Sequence, residues 1–339
     1  MRTLKRLILL ALTGVFTFGG WFAYHITTVV QLPAVPYEFS IKSGSSLRSV
    51  ARQLADAGAL PDAWSFVLLA RATSQAGALK AGNYQLASST TPLKLLERIT
   101  KGDVSQSEIK FIEGWTFWQL RKALDEHAAV RHDTAKLSDK EILQLIGASE
   151  TAAEGLFFPD TYYFSQDSSD AAILKRAYLV MQDNLKAAWA RSTHTTIAGG
   201  IDLPLASPYE ALILASIVEK ETGKESDRTM IAGVFINRLR LGMLLQTDPT
   251  VIYGMGEKFD GNLRKKDLLT DNEHNTYTRP GLPPTPIAMP GLASIEAALN
   301  PAKTDALYFV ARGDGTSQFS ANLADHNRAV AKYQKRQGR

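Results

Sequence analysis

The chain of 339 residues contains no cysteine. Disulfides, cysteine-ligated zinc, iron–sulfur clusters and a cysteine nucleophile are thereby excluded. The compartment stays open, since a chain without thiols is indifferent to redox conditions. Histidine is scarce as well. The six residues His25, His127, His132, His194, His274 and His326 show no metal-ligand spacing such as HExxH. There is also no P-loop, no dinucleotide fingerprint and no Gly-x-Ser-x-Gly elbow. Metal hydrolysis, nucleotide chemistry and acyl transfer through an activated serine therefore lack their residues, and no cofactor or metal is expected. Excess charge is missing too. The net charge is +4, and Arg2, Lys5 and Arg6 supply three of it before the first acid. The remaining charge of about +1 gives no ground for a nucleic-acid partner. No internal repeat or low-complexity segment interrupts the chain.

What is present suits a folded chain of about two domains, with 45% hydrophobic and 21% charged residues. Leu7 to Tyr24 is an uncharged, mostly apolar run of 18 residues, enough to span a hydrocarbon core of about 30 Å. The basic residues precede it, and no Lys or Arg follows until Lys42. That asymmetry predicts a cytoplasmic tail over 1–6, a transmembrane anchor over 7–27 and an exported body. A cleaved signal peptide has the same basic start but a shorter apolar region and a small-x-small site. No such site surrounds Trp21, Phe22, Tyr24 and His25, and Trp21 with Tyr24 suits an interfacial belt.

Residues 28–36 read as a linker. Phe39 and Ile41 alternate as a strand, with a turn at Ser43-Gly44. Helices are expected from Ser46 to Gly58 and over Ala63–Ala70, then a strand over Leu79–Leu86 and a helix from Pro92. This β-α-α-β pattern over 37–103 looks like a LysM-type module with an added helix. Further on, a strand is expected at Ile109–Glu113, helices at Thr116–Leu124 and Ala171–Ala190, and a loose segment at Ser192–Leu205. Ser207, Pro208 and Glu210 read as a capping box opening a helix that stops near Gly223. A helix over Asp227–Leu241 follows, then a Gly-, Pro- and Asn-rich stretch to Ser294. A hairpin at Leu307–Ser320 turns at Gly313-Asp314-Gly315. The fold class is α+β.

The informative carboxylates are Glu219 and Glu221, separated by about 200° of helix rotation, so both cannot face one ligand. Val218, Ile217 and Leu214 precede Glu221 on its own stripe, which puts Glu221 at the end of the core-facing side. Partial burial there raises a carboxyl pKa, as a general acid at neutral pH requires. The bland alternative pairs Glu221 with Lys224 or Arg228. Glu219 reads as a solvated or structural carboxylate. Gln246, Thr247, Asp248, Pro249 and Thr250 form a polar cluster with Tyr253 on the next turn. Asn275, Thr276 and Tyr277 lead into the proline-rich loop Gly281–Ile287. These amide, hydroxyl and aromatic groups suit a sugar ring; equally, they suit a rigid surface loop.

Ala215-Ser216-Ile217-Val218-Glu219-Lys220-Glu221-Thr222, Val234-Phe235-Ile236-Asn237-Arg238-Leu239 and Leu245-Gln246-Thr247-Asp248-Pro249-Thr250-Val251-Ile252-Tyr253-Gly254 closely resemble the YceG-like family. So do Asn275-Thr276-Tyr277, Gly281-Leu282-Pro283-Pro284, Glu154-Gly155-Leu156-Phe157-Phe158-Pro159-Asp160 and Lys80-Ala81-Gly82-Asn83-Tyr84. Thr285 and Met289 depart from the expected pattern. The resemblance covers essentially the whole chain and implies an endolytic murein transglycosylase of the bacterial inner membrane, its catalytic domain spanning 105–339. Such an enzyme cleaves the MurNAc–GlcNAc β-1,4 bond and leaves a 1,6-anhydro-MurNAc end. It implies Glu221, in its Glu-Thr pair, as the acid/base. It places Glu219, Asn237, Gln246, Thr247, Asp248, Tyr253, Asn275 and Tyr277 about the substrate. Implied partners are peptidoglycan glycan strands and the cell-wall synthases. Two other functions stay open: a non-catalytic glycan-binding protein, and a hydrolase of the same bond with Asp248 or Glu219 as second carboxylate.

Overall fold

A computed structural model describes residues 2–33, 37–42, 44–86, 88–102, 106–197 and 203–334. Ser43 of the expected turn, the end of the 28–36 linker, and residues 103–105 between the expected domains lie outside this set. So does the middle of the expected loose segment, at 198–202. The chain divides into two compact units, residues 1–107 with 163–167, and residues 108–162 with 168–339.

The first unit opens with helix α1 (Arg2–Thr27). Its Arg6–Thr27 stretch is long and apolar enough to cross a membrane, the one such helix among the described residues. Strand β1 (Tyr37–Ile41), helices α2 (Leu47–Asp56) and α3 (Ala63–Ala72), strand β2 (Gly82–Leu86) and helix α4 (Pro92–Lys101) follow. β1 and β2 pair antiparallel, Phe39 opposite Tyr84. The three helices begin at side-chain caps: Ser46, Asp62 and Thr91 each accept from the backbone N–H three residues on. Phe39, Ile41, Leu54, Phe66, Leu69, Tyr84, Leu95 and Ile99 are buried in one core. The tyrosine hydroxyl does not go unpaired there, since Tyr84 donates to the carbonyls of Lys80 (2.7 Å) and Ile99 (3.2 Å).

The chain continues through strand β3 (Gln106–Lys110), helix α5 (Phe117–Asp125), strand β4 (Val130–Arg131), helix α6 (Asp139–Ile146), strands β5 (Thr161–Ser165) and β6 (Ser168–Ser169), and helix α7 (Asp170–Ile197). Helices α8 (Pro208–Glu221), α9 (Glu225–Arg240), α10 (Asp248–Met255), α11 (Lys265–Leu269) and α12 (Leu292–Leu299) come next. Strands β7 (Tyr308–Ala311) and β8 (Ser317–Ser320) and helix α13 (Leu323–Tyr333) complete the chain. Mixed α+β is the outcome, with β3–β5, β4–β6 and β7–β8 as further two-stranded sheets.

In the second unit α8 is the centre, packed by α7, α9 and α12. Every residue from Ala211 to Val218 is buried. The expected division of α8 into an apolar stripe and a more polar face is therefore corrected: a helix enclosed on all sides has no solvent face. Ser216, on the side assigned to Glu219, donates to Ile213 O (2.7 Å) and accepts from the Ile287 N–H (3.0 Å).

Other local expectations shift. The Ser207 hydroxyl caps the Glu210 N–H (3.3 Å), but the Glu210 carboxylate accepts from the Ala206 N–H (2.6 Å) rather than closing a reciprocal box. β3 lies about three residues before its expected position. Between β4 and β5, α6 is opened by a full Ser138/Glu141 capping box. α7 runs on to Ile197, into the segment expected to be loose. The Gly- and Pro-rich stretch after α9 includes α10, opened by Asp248-Pro249, since proline is compatible with a first helical turn.

Candidate active site

Glu221 is the last residue of α8, and Thr222 leaves the helix in an extended conformation. The Thr247 hydroxyl donates to Glu221 Oε1. Burial pushes the Glu221 carboxyl above the usual carboxylate range. The Thr247 hydrogen bond opposes this, the Asp248 charge adds to it, and the Arg238 cation opposes it. Neither Lys224 nor Arg228 pairs with Glu221.

Thr247 is presented by an unusual backbone. Gln246 has φ 49°, a left-handed conformation that non-glycine residues adopt at a cost of about 1–3 kcal/mol. The strain is held by two hydrogen bonds, Gln246 N–H to Thr276 O (3.1 Å) and Thr247 N–H to Thr276 Oγ1 (3.1 Å). Thr276 Oγ1 is also hydrogen-bonded to the Thr250 hydroxyl (2.8 Å). The consequence is alternation at the start of α10: Gln246 and Asp248 are exposed, while Thr247 and Thr250 are buried. Tyr277 donates to Asp248 Oδ1 (2.6 Å), and burial followed by that hydrogen bond raises the phenol pKa. At neutral pH it remains a donor.

Asn275 acts one layer further back. Its amide nitrogen donates to Leu268 O (3.1 Å) and Thr270 O (2.7 Å), and its oxygen accepts from the Tyr277 N–H (2.9 Å). Fully buried, it shapes the 268–277 loop that carries Thr276 and Tyr277.

Of the expected site residues, Glu221, Gln246, Thr247, Asp248 and Tyr277 come together, with Asn275 behind them. Three do not. Glu219 Oε2 accepts from the Gly291 N–H (3.0 Å) at the start of α12, and Lys220 beside it donates to Gly114 O (3.1 Å). Asn237 donates to Thr304 O (2.8 Å) and Ala306 O (3.1 Å), which ties α9 to the chain before β7. Tyr253 stacks edge-on to His274, ring centroids 4.9 Å apart, and its hydroxyl is hydrogen-bonded to Glu154 and Thr285.

Arg238 is the residue that pattern reading passed over, although it adjoins Asn237. About 100° further round α9, its guanidinium donates to Leu307 O (2.7 Å), Leu245 O (2.8 Å) and Leu244 O (3.2 Å). It also lies over the Tyr308 ring. Buried, it grips the segment just before Gln246 and gives the Glu221 side of the site its cation.

Glu154 is a buried carboxyl. Its oxygens accept from the Phe117 N–H (3.0 and 3.1 Å) and the Gly155 N–H (3.2 Å). Burial pushes its pKa up to about 7 against those bonds. Gly155, at φ 77°, lies so close to Pro286 that a Cβ would collide with the proline ring. Thr285, one of the departures from pattern, contributes its hydroxyl to Tyr253 and to His274 Nε2 (3.0 Å).

The sequence profile of the YceG-like family matches residues 39–332, most of the chain. The chain belongs to the YceG-like family. A Bacillus subtilis protein named endolytic murein transglycosylase is 32% identical over 336 residues, covering 93% of this chain and 90% of that protein. A Streptococcus pneumoniae protein of the same name is 27% identical over 364 residues; the match covers 96% of this chain and 64% of that longer relative. The crystal structure of a YceG-like protein from Listeria monocytogenes has a TM-score of 0.55 and 30% identity, covering 86% of this chain and 98% of that one.

Proposed function

We propose that this YceG-like protein is an endolytic murein transglycosylase whose acid/base is Glu221. The observation that carries the reading is the placing of a half-buried Glu221, its carboxyl pushed above the usual carboxylate range by burial, beside the exposed Gln246 and Asp248. A carboxyl must be held protonated, yet reachable by a polymer, to act as a general acid on it.

In the proposed reaction Glu221 gives its proton to the oxygen leaving C1 of MurNAc. The same sugar's 6-hydroxyl attacks C1, the C1–O bond to GlcNAc breaks and a C1–O6 bond forms. Glu221 then takes the proton released by the 6-hydroxyl. The steps balance without water, and one carboxyl serves both, whereas ordinary glycosidases generally use two. The turn of Glu219 towards Gly291 supports this single-carboxyl reading over a hydrolase using Glu219. Asp248 is the remaining candidate second carboxylate; here its charge adds to the upward push that burial gives the Glu221 carboxyl.

The substrate is the interior of nascent glycan strands, so cutting limits strand length. The protein is a single-pass inner-membrane protein with its N-terminus cytoplasmic and its body periplasmic, beside the synthases that supply the strands. The β-α-α-β unit over 37–103 resembles LysM and would hold the strand. Mass spectrometry of digested sacculi tests the reaction. Anhydro-MurNAc ends are expected; new reducing ends would make the protein a hydrolase, and absence of product with retained binding would make it a glycan-binding protein.

A further inference from the structure

The last turns of α1 are part of the first unit's packing. Phe22 and Ile26 lie against its core, and the His25 ring is hydrogen-bonded to Asp62 (2.8 Å), the cap of α3. One turn earlier Trp21 stacks on Trp64, with centroids 5.8 Å apart and planes 10° from parallel. Trp21 precedes His25 by four residues, about 6 Å along the helix towards its apolar middle. Trp64 therefore reaches back along α1, in the direction of the apolar run.

The outer face of α3 is unusual for a helix in water. Trp64, Val67, Leu68 and Arg71 fall at i, i+3, i+4 and i+7, on one face. Trp64 is 52% exposed, Val67 and Leu68 are half-buried, and Arg71 is exposed. On α1, Phe18, Trp21 and Tyr24 are exposed beside it. We infer that the α3 face of Trp64, Leu68 and Arg71 rests in the headgroup–acyl boundary of the phospholipid bilayer, continuing the interfacial belt of Trp21 and Tyr24. Tryptophan and tyrosine favour that boundary because one end of each ring system is apolar and the other is polar. An apolar face with a basic residue at its edge is the pattern of helices that lie in the interface, the arginine reaching an anionic headgroup. The His25–Asp62 bond holds the two aromatic rings at one level.

The inference rests on the reading of α1 as a membrane span, and the test separates the two. Because the chain lacks cysteine, single variants F18C, L68C and R48C in the full protein can each carry one nitroxide. They are reconstituted in phosphatidylethanolamine–phosphatidylglycerol vesicles, and collision rates with oxygen and a water-soluble nickel chelate are compared. The label at 68 is expected to resemble that at 18, favouring oxygen, while the label at 48 favours nickel. Adding W64E to L68C should move that label towards nickel. A 68 label that behaves like the 48 label, or one shielded only when glycan strands are added, overturns the inference while the span stands. A nickel-accessible label at 18 removes the span and the inference with it. An L68C label unmoved by W64E also overturns it, since Trp64 would then not be what seats the face.

Discussion

Two carboxyls in the second unit, one buried and one half-buried, invite comparison. Both Glu154 and Glu221 are pushed above the usual carboxylate range, chiefly by burial. Glu154 accepts two backbone N–H groups and the Tyr253 hydroxyl, and is 7% exposed. Glu221 is held by one threonine hydroxyl, close to the charge of Asp248, and neighbours an exposed glutamine and aspartate. A raised pKa alone does not mark a site. What differs is exposure: Glu154 is enclosed where the start of α5 meets the end of α10, whereas Glu221 is half-buried beside exposed side chains.

The largest effect should separate the two by activity. Glu221→Gln keeps the side-chain shape but cannot transfer a proton, so turnover should fall by a factor on the order of 10² or more. Thermal unfolding and glycan binding should stay near the parent values. Equal loss of turnover in Glu154→Gln, measured by anhydro-product release, would break the comparison.

Next in size is stability. Glu154→Ala leaves the Phe117 and Gly155 N–H groups without their acceptor and should cost on the order of 3 kcal/mol in denaturant unfolding. The pH dependence has a definite sign. Glu154 has a raised folded pKa, so its contribution is complete below its ordinary value of 4.5 and is lost as pH rises to about 7. Glu154→Gln should flatten that part of the stability–pH curve. A curve unchanged by the substitution would show that Glu154 is not the titrating group.

A smaller effect sharpens the Glu221 side. Thr247→Val removes a bond to the charged carboxylate and should move the alkaline limb of the rate profile up. Asp248→Asn removes a repelling charge and should move the same limb down. Shifts of one sign in both variants would mean that another group sets the limb. Smallest of all is Glu219→Gln, which retains an acceptor for the Gly291 N–H and should leave turnover within a few-fold of the parent.

Much of the fold was legible because its signals are local. Ser46, Thr91, Thr116 and Ser207 cap helices where a hydroxyl precedes an apolar pattern, and Gly313-Asp314-Gly315 turns the β7–β8 hairpin. The same local reading missed α10, because Gly, Pro and Thr resemble loop composition, and its first turn is organised by Thr276, far away in sequence. The family resemblance put Asn237 about the substrate and left Arg238 unassigned; adjacent helical residues look in different directions, and only packing shows that Asn237 meets the chain before β7 while Arg238 meets Leu244 and Leu245.

The sequence by itself determined that cysteine and metal-motif chemistries lack their residues, that one N-terminal stretch is apolar enough to cross a bilayer, and that Glu219 and Glu221 face apart. Composition and helical period suffice for these, since neither depends on distant contacts. Tertiary structure alone decided which glutamate meets Thr247 and which meets Gly291, because α8 is enclosed on every side and periodicity carries no preference there. It alone revealed Glu154 as a second carboxyl with a raised pKa, since burial is produced by the packing of segments far apart in the chain.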